Sequence, residues 1–145
     1  MGTNTATIRV AHEGGDRLQI KIRGHQLFSD QPVEDGGDDT APTPTELFLA
    51  GLAACVAFYG ARFLRRHGLA TEGLAVTCKY AWAANPTRIG EIELSVEAPA
   101  LPADRREAFS RVIEHCTVHN TLLQPPPVRI RVAPARPEAV PVTVI

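Results

Sequence analysis

The chain has 145 residues, of which 44% are hydrophobic and 21% are charged, a composition typical of one globular domain with a hydrophobic core. The formal net charge is −1, with 15 Lys and Arg against 16 Asp and Glu, which excludes the strongly basic surface of most nucleic-acid-binding proteins. We therefore expect small molecules or proteins as partners, and no nucleic acid.

The first part of the chain alternates apolar and polar residues. The apolar positions lie on both sides of the turn-forming sequence Glu-Gly-Gly-Asp: Ile8, Val10, Leu18, Ile20 and Ile22. This pattern predicts a β-hairpin over about residues 6–24, within an N-terminal strand region 1–29. The acidic, glycine-rich stretch that follows predicts a loop over 30–42.

A central helix is predicted next, over 43–68 with its caps. Thr43 suits the N-cap, Pro44 the first helical position, and Glu46 the third, where its carboxylate can accept a bond from the cap amide. Gly68 predicts the end of the helix.

This helix is apolar on every face, since no residue from Leu47 to Ala61 is charged. A helix of that kind must be covered on all sides. The run is shorter than the roughly 18 residues of a membrane span and leads into three arginines, so we predict a buried core helix and no membrane partner. A chain of 145 residues has little material to cover it, and we therefore predict a homodimer.

Two long antiparallel strands are predicted over 72–99, on either side of an Asn-Pro turn. Alternate positions of each strand are apolar: Leu74, Val76, Cys78, Tyr80 and Trp82 in the first, and Ile92, Leu94, Val96 and Ala98 in the second. Each set shares one face of a strand, so the sequence predicts a hairpin with one buried face.

Helices are predicted over 102–123. Pro102 and Asp104 open the first, and one stripe of it is apolar: Ala108, Phe109, Val112, Ile113 and Cys116. We expect Cys116 to face inward and Thr117 to cap a short second helix. Prolines 125–127 end that helix before a last strand at 128–132, and we assign 127–145 to this C-terminal strand and a tail.

Three cysteines carry the candidate chemistry. No basic segment leads into an apolar one near the first residue, so we expect a cytoplasmic protein with reduced thiols. Cys78 lies among apolar strand residues and is predicted to serve packing. Cys55 lies in the middle of the central helix, where packing alone also explains its presence. Cys116 precedes a short helix whose N-terminal amides favour a thiolate. From the residues alone, both packing and reactivity stay open for Cys116.

No metal or cofactor is predicted. The spacing from Cys116 to His119 is half of a zinc motif, but the sequence has no second Cys/His pair. No glycine-rich phosphate loop is present.

Two of the cysteines lie in distinctive motifs, Pro-Thr-Pro-Thr-Glu-Leu-Phe-Leu-Ala-Gly-Leu-Ala-Ala-Cys, which ends at Cys55, and Cys-Thr-Val-His-Asn-Thr-Leu, which starts at Cys116. These motifs resemble the OsmC/Ohr family of osmotically inducible and organic hydroperoxide resistance proteins. The order of predicted elements matches as well, over about residues 6–132. Gly-His-Gln-Leu-Phe-Ser-Asp at 24–30 resembles the OsmC-like branch.

The resemblance implies an α+β fold, with antiparallel sheets wrapped around a long central apolar helix and two chains intertwined in a homodimer. It also implies a thiol-dependent peroxidase for oxidative stress defence. Cys55 would attack an organic hydroperoxide and become a sulfenic acid, Cys116 would resolve it as a disulfide, and a dithiol reductant would restore both thiols.

The family activates its first cysteine with an Arg from the N-terminal hairpin, held by a Glu near the start of the central helix. Alignment on the first motif places Thr45 at the position of that Glu, while Glu46 fits the capping role. For the Arg we select Arg17, with Arg9 and Arg23 as alternatives. Thr117 stands where the family usually has Pro.

Two hypotheses follow. The first is an OsmC-like thiol peroxidase acting on organic hydroperoxides through Cys55 and Cys116. The second is a non-enzymatic OsmC-like dimer that binds an apolar small molecule or senses redox state.

Overall fold

The structure is a computed structural model that describes residues 5–135. It contains two antiparallel sheets and three helices. In chain order the elements are β1 (Ile8–Gly14), β2 (Arg17–Ile22), β3 (His25–Ser29), α1 (Pro44–Arg66), β4 (Ala75–Ala83), β5 (Arg88–Glu97), α2 (Arg106–Ile113) and α3 (Thr117–Leu123). The predicted α+β class with antiparallel sheets and a long apolar helix is confirmed.

The N-terminal sheet has the order β1-β2-β3. Ile8 pairs with Ile22 and Val10 with Ile20, which confirms the predicted hairpin. β3 adds a third strand within the region assigned to 1–29. The predicted loop at 30–42 is confirmed, with a short 3-10 turn at Val33–Asp35.

Helix α1 begins and ends as predicted. The Thr43 hydroxyl accepts a hydrogen bond from the Glu46 amide at 3.2 Å, and the Glu46 carboxylate accepts one from the Thr43 amide at 2.8 Å. Pro44 is the first helical residue. Gly68 follows the C-cap with φ +66°, a left-handed conformation that side chains disfavour.

One face of α1 packs against β4, α2 and α3. Its buried residues are Leu49, Leu52, Val56, Gly60, Phe63 and Leu64. At Gly60 a Cβ atom would lie 3.2 Å from the Phe109 ring, so the missing side chain allows α2 to approach closely. The other face of α1 is open, with Phe48 and Phe58 44% and 52% exposed. One chain therefore covers α1 on one side only, in keeping with the expectation that 145 residues have little material to cover it, and the homodimer stays a prediction.

By length and hydropathy alone, α1 is the one helix among residues 5–135 long enough to cross a membrane. That is weak support for a span, because core helices of soluble proteins pass the same test.

The second sheet is the predicted hairpin of β4 and β5. Val76 and Cys78 are half-buried, in keeping with the predicted inward face. Trp82, however, is 58% exposed, at the end of the hairpin beyond the register shift between Ala81 and Trp82. Tyr80 is also exposed, so the prediction that both aromatic rings face the core is wrong.

The C-terminal region differs from the prediction in two places. α2 ends at Ile113, and Cys116 rather than Thr117 caps α3, since Cys116 is the residue with extended backbone (φ −65°, ψ 153°). The predicted strand at 128–132 is absent, and within residues 5–135 no strand pairs with this segment. The tail at 136–145 lies outside the described residues.

Replacing the N-cap should test the capping box directly. We expect Thr43→Ala to lower the free energy of unfolding by about 1 kcal/mol, since the substitution removes an acceptor for a helix amide that has no partner within the helix. Urea unfolding followed by circular dichroism measures this. Thr45→Ala, two residues along, is the matched control, and an equal loss there would contradict a specific capping role.

Candidate thiol site

Two cysteines from distant parts of the chain meet at the middle of α1. Cys55 lies on the helix between Leu52 and Val56 and is half-buried. Leu52, Val56 and Cys116 form one cluster of buried side chains, and Cys55 packs against it. The fold thus brings together the two thiols that the sequence singled out, and both are free.

Cys116 is fully buried at the start of α3, with no exposed surface. Its sulfur accepts a hydrogen bond from the His119 amide at 3.4 Å. Burial nevertheless raises the pKa of the Cys116 thiol, and the neighbouring Cys55 thiol raises it further, against the lowering effect of the His119 amide. We expected the helix amides to favour a thiolate at Cys116. That prediction is wrong, because burial raises the pKa of the thiol by more than the amides lower it.

A hydrogen bond fixes the start of α3 against α1. The Tyr59 hydroxyl and the Thr117 hydroxyl are 3.0 Å apart. Tyr59 lies one turn beyond Cys55, and Thr117 directly follows Cys116, so this bond holds the two cysteine-bearing segments in register. Sequence reasoning missed it, since no local pattern links residues 58 positions apart.

Cys78 lies on β4, opposite Leu94 of β5. It is half-buried and does not belong to the cluster around Cys116. Its place in the sheet agrees with the predicted packing role.

Arg17 lies on β2 of the N-terminal sheet and contacts three side chains. Its Nε donates to the Glu13 carboxylate at 3.0 Å, and its Nη1 donates to the Thr40 hydroxyl at 2.6 Å. Its guanidinium also lies over the Phe28 ring, 4.1 Å from the centroid. The chain therefore fixes Arg17 in orientation without bringing it to Cys55.

Asp30 binds the same Thr40 hydroxyl as Arg17. Only 1% of its surface is exposed. It accepts hydrogen bonds from the Thr40 hydroxyl at 2.6 Å, the Thr40 amide at 3.0 Å and the Gln31 amide at 2.8 Å. These donors, the Thr40 hydroxyl first, lower the pKa of Asp30 to about 2. Asp30 thus stays ionised and orients the Thr40 hydroxyl that binds Arg17.

An apolar cleft of about 550 Å³ lies against two of the side chains that bury Cys116, although neither Cys55 nor Cys116 lines it. Leu52 and Val56, which pack on Cys116, form one wall, and Ile92, Leu94 and Val96 of β5 form another. Glu114 and His119 supply polar groups at the lining. The cleft is large enough for a small organic molecule.

Comparison with known proteins decides the family. The model of the family described as OsmC-like protein matches residues 36–131. The chain belongs to the OsmC-like family. No curated protein matches the sequence.

Solved structures show the same fold. An osmotic stress induced and detoxification response protein from Psychrobacter arcticus is 21% identical, with a TM-score of 0.73 over 83% of this chain and 90% of that one. An organic hydroperoxide resistance protein OsmC from Legionella pneumophila is 23% identical, with a TM-score of 0.64 over 84% and 91%. OhrB of Bacillus subtilis, an organic hydroperoxide resistance protein, is 18% identical, with a TM-score of 0.57 over 81% and 89%.

This OsmC-like chain uses Glu46 for capping, as predicted. The Glu46 carboxylate is bound to the Thr43 amide, while Thr45 occupies the position that the resemblance assigns to an Arg-binding Glu. Arg17 instead takes its carboxylate partner, Glu13, from its own hairpin. Thr117 is the first residue of α3, a position where Pro would also fit, and here its hydroxyl serves the bond to Tyr59.

Histidines of the OsmC-like domain bind main-chain carbonyls. His119 Nδ1 lies 2.7 Å from the Glu114 oxygen, and His115 Nδ1 lies 2.8 Å from the Arg111 oxygen. Within residues 5–135, no three His, Cys, Asp or Glu side chains are grouped as a metal site would require.

The Asp30 network should make the fold sensitive to acid. Because the pKa of Asp30 is lowered from 3.8 to about 2, its contribution to stability is complete above pH 4 and is lost as the pH falls towards 2. We expect the melting temperature of the wild type to fall more steeply across this interval than that of Asp30→Asn. Asp35→Asn, in the exposed 3-10 turn, is the control; a parallel decline in the Asp30→Asn protein would contradict the assignment.

Proposed function

We propose that this OsmC-like protein is a thiol-dependent peroxidase that reduces organic hydroperoxides in oxidative stress defence, with Cys55 and Cys116 as its reactive pair. The observation that carries the proposal is the contact between two free thiols of unequal exposure beside an apolar cleft. Hydroperoxide resistance proteins among the solved structures share the fold.

In the first step, the Cys55 thiolate attacks the distal oxygen of the hydroperoxide. The O–O bond breaks, the alkoxide takes a proton and leaves as the alcohol, and Cys55 becomes a sulfenic acid. Cys55 suits this role because it is the less buried of the two thiols. The apolar cleft lined by Leu52 and Val56, its neighbours on α1, could receive the organic part of the substrate.

In the second step, the sulfur of Cys116 attacks the sulfur of Cys55. A disulfide forms and the hydroxyl leaves as water, with the proton supplied by the Cys116 thiol. The raised pKa of Cys116 keeps this thiol protonated while both cysteines are reduced. A dithiol reductant then exchanges with the disulfide and restores both thiols.

For activation of Cys55 we propose Arg17 of a second subunit in a homodimer. In its own chain, Arg17 is held by Glu13 and Phe28 of the N-terminal sheet and by Thr40 of the loop that follows it. The β1-β2-β3 sheet makes no extensive contact with α1 among the described residues. A second chain that covers the open face of α1 with this sheet would place a preorganised guanidinium near the cysteine, where it stabilises the thiolate.

The cleft also supports a second candidate, a non-enzymatic dimer that binds an apolar small molecule. Its lining is mostly apolar and its volume suits such a ligand. The two candidates differ in what an organic hydroperoxide does to the thiols: a peroxidase forms a Cys55–Cys116 disulfide within a turnover, whereas a simple binder keeps both thiols reduced.

Three single substitutions should separate the roles of the cysteines. With cumene hydroperoxide and a dithiol reductant, we expect Cys55→Ser to reduce turnover at least a hundredfold and Cys116→Ser to stop after one equivalent as a sulfenic acid. Cys78→Ser is the control and should keep the wild-type rate. Intact mass and trapping of the sulfenic acid with dimedone report each state; undiminished turnover in Cys55→Ser would refute the assignment.

The three hairpin arginines can be distinguished by the rate of Cys55 oxidation. We expect Arg17→Gln to slow oxidation at least tenfold at neutral pH, with recovery at higher pH as the thiol ionises without help. Arg9→Gln and Arg23→Gln are the controls. Stopped-flow measurements across pH 6–10, on proteins with matched melting temperatures, provide the comparison, and a larger effect at Arg9 or Arg23 would transfer the role.

A further inference from the structure

Cys116 lies in a tight turn that its own neighbours hold together by hydrogen bonds. The His119 amide donates to the Cys116 sulfur at 3.4 Å. The His119 ring nitrogen Nδ1 lies 2.7 Å from the Glu114 carbonyl oxygen, and the Asn120 side-chain amide donates to the His115 carbonyl at 3.1 Å. All of these partners lie between residues 114 and 120, so the turn around Cys116 is a locally bonded unit.

One pair of hydroxyl groups attaches this turn to α1. Apart from the two sulfurs, the groups of α1 and of the turn that hydrogen-bond to each other, among the residues that the structure describes, are the Tyr59 and Thr117 hydroxyls, 3.0 Å apart. Val118 packs on the buried cluster around Cys116, but apolar packing has no preferred direction. A hydrogen bond weakens steeply as its angle changes. The hydroxyl pair therefore fixes the direction in which the turn faces α1.

Each of these hydroxyls belongs to a residue close to one of the thiols. Tyr59 follows Cys55 by four residues, so the two side chains lie a turn apart on one face of α1. Thr117 directly follows Cys116. Both side chains are stiff, because Thr is branched at Cβ and Tyr in a helix has few allowed χ1 positions. The hydroxyl pair is thus a short and rigid connection between the segments that carry the two sulfurs.

We propose, on the basis of the pairing proposed for Cys55 and Cys116, that Tyr59 is a positioning residue for their disulfide. Its hydroxyl, bound to Thr117, holds Cys116 in the orientation from which the two sulfurs can join. A disulfide requires a specific geometry, with the Cα atoms about 4.4–6.8 Å apart. The rate of closure therefore depends on the fraction of molecules that hold this geometry, and the hydroxyl pair raises that fraction.

Tyr59 acts on the second step of the reaction and not on the first. The attack of Cys55 on the hydroperoxide does not involve Cys116. In the second step the Cys116 sulfur attacks the Cys55 sulfenic acid, the S–O bond breaks, the S–S bond forms, and the hydroxide leaves with the Cys116 proton as water. Without the Tyr59 hydroxyl, the turn can shift on its apolar contacts, so fewer molecules are ready to close. The net contribution of one hydrogen bond corresponds to a roughly two- to tenfold change in that fraction.

Removal of either hydroxyl tests this role at each step. Tyr59→Phe keeps the ring that packs on the cluster, and Thr117→Val keeps the branched shape at the start of α3. After one equivalent of cumene hydroperoxide, we expect both variants to form the sulfenic acid at the wild-type rate and to close the disulfide roughly two- to tenfold more slowly. Dimedone trapping measures the sulfenic acid, and the intact mass of alkylated samples measures the disulfide.

Three further variants separate positioning from general damage to the fold. Thr117→Ser keeps a hydroxyl and should close at nearly the wild-type rate. Tyr59→Phe combined with Thr117→Val should be no slower than either alone, because both substitutions remove the same bond. Tyr80→Phe removes an exposed phenol on β4 and should have no effect. Circular dichroism checks folding, and if one of the two hydroxyl variants unfolds, the other decides.

An equilibrium with glutathione tests the same role without a hydroperoxide. Oxidised glutathione takes two electrons from the Cys55–Cys116 dithiol, so the pair becomes a disulfide and two molecules of reduced glutathione are released. The equilibrium constant has units of concentration and measures how well the fold presents the two thiols to each other. In a Cys78→Ser background, which leaves only this pair of thiols, we expect Tyr59→Phe to lower the constant roughly two- to tenfold.

The two measurements distinguish failure of the positioning role from failure of the peroxidase function. A wild type that forms the disulfide with glutathione but does not react with the hydroperoxide would refute the peroxidase alone, and a lowered constant in Tyr59→Phe would still support positioning. Unchanged closure and an unchanged constant in Tyr59→Phe would overturn positioning. So would equal slowing of both steps, or additive effects of the two substitutions, since the hydroxyls would then act separately. A wild type that forms no Cys55–Cys116 disulfide with either oxidant would overturn both.

Discussion

The packing of Cys116 against the middle of α1 is the contact on which the candidate site depends. Leu52 and Val56 bury the sulfur from the helix side, and the Tyr59–Thr117 hydrogen bond holds the start of α3 in place. Because the same contact excludes water, it raises the pKa of Cys116 while Cys55 keeps a half-exposed position. The two cysteine side chains thereby acquire different environments. A reaction in which one thiol attacks and the other resolves requires such a difference.

Helix α1 carries part of the candidate site and also an uncovered apolar face. It has apolar residues all round, but its own chain covers one face and leaves Phe48 and Phe58 exposed. The exposed strand pattern at 128–132 is a second uncovered apolar surface. Both follow from one constraint, since a chain of 145 residues cannot enclose a 23-residue apolar helix on all sides. A second subunit that covers these surfaces would also complete the environment of the thiols.

Local signals predicted most of the fold, and tertiary effects account for what was wrong. Neighbouring residues alone specify the capping box at Thr43 and the apolar alternation in β1, β2, β4 and β5. The sequence therefore suffices to predict them. The exposure of Tyr80 and Trp82 depends on what packs over the end of the hairpin, and the cap of α3 depends on the backbone angles of Cys116. The family resemblance paired the two cysteines, but the direction of the Cys116 pKa required its burial to be known.

The Arg17 network shows how a departure from the family pattern can be accommodated. Thr45 cannot bind a guanidinium as a carboxylate does, yet Arg17 already has a carboxylate in Glu13 and a hydroxyl acceptor in Thr40. Asp30, ionised and buried, accepts a hydrogen bond from the Thr40 hydroxyl and leaves the lone pairs of that hydroxyl for Arg17. The hairpin and the loop thus orient the arginine within one chain. An arginine held in this way needs no glutamate from α1, so the proposed activation of Cys55 does not require one at position 45.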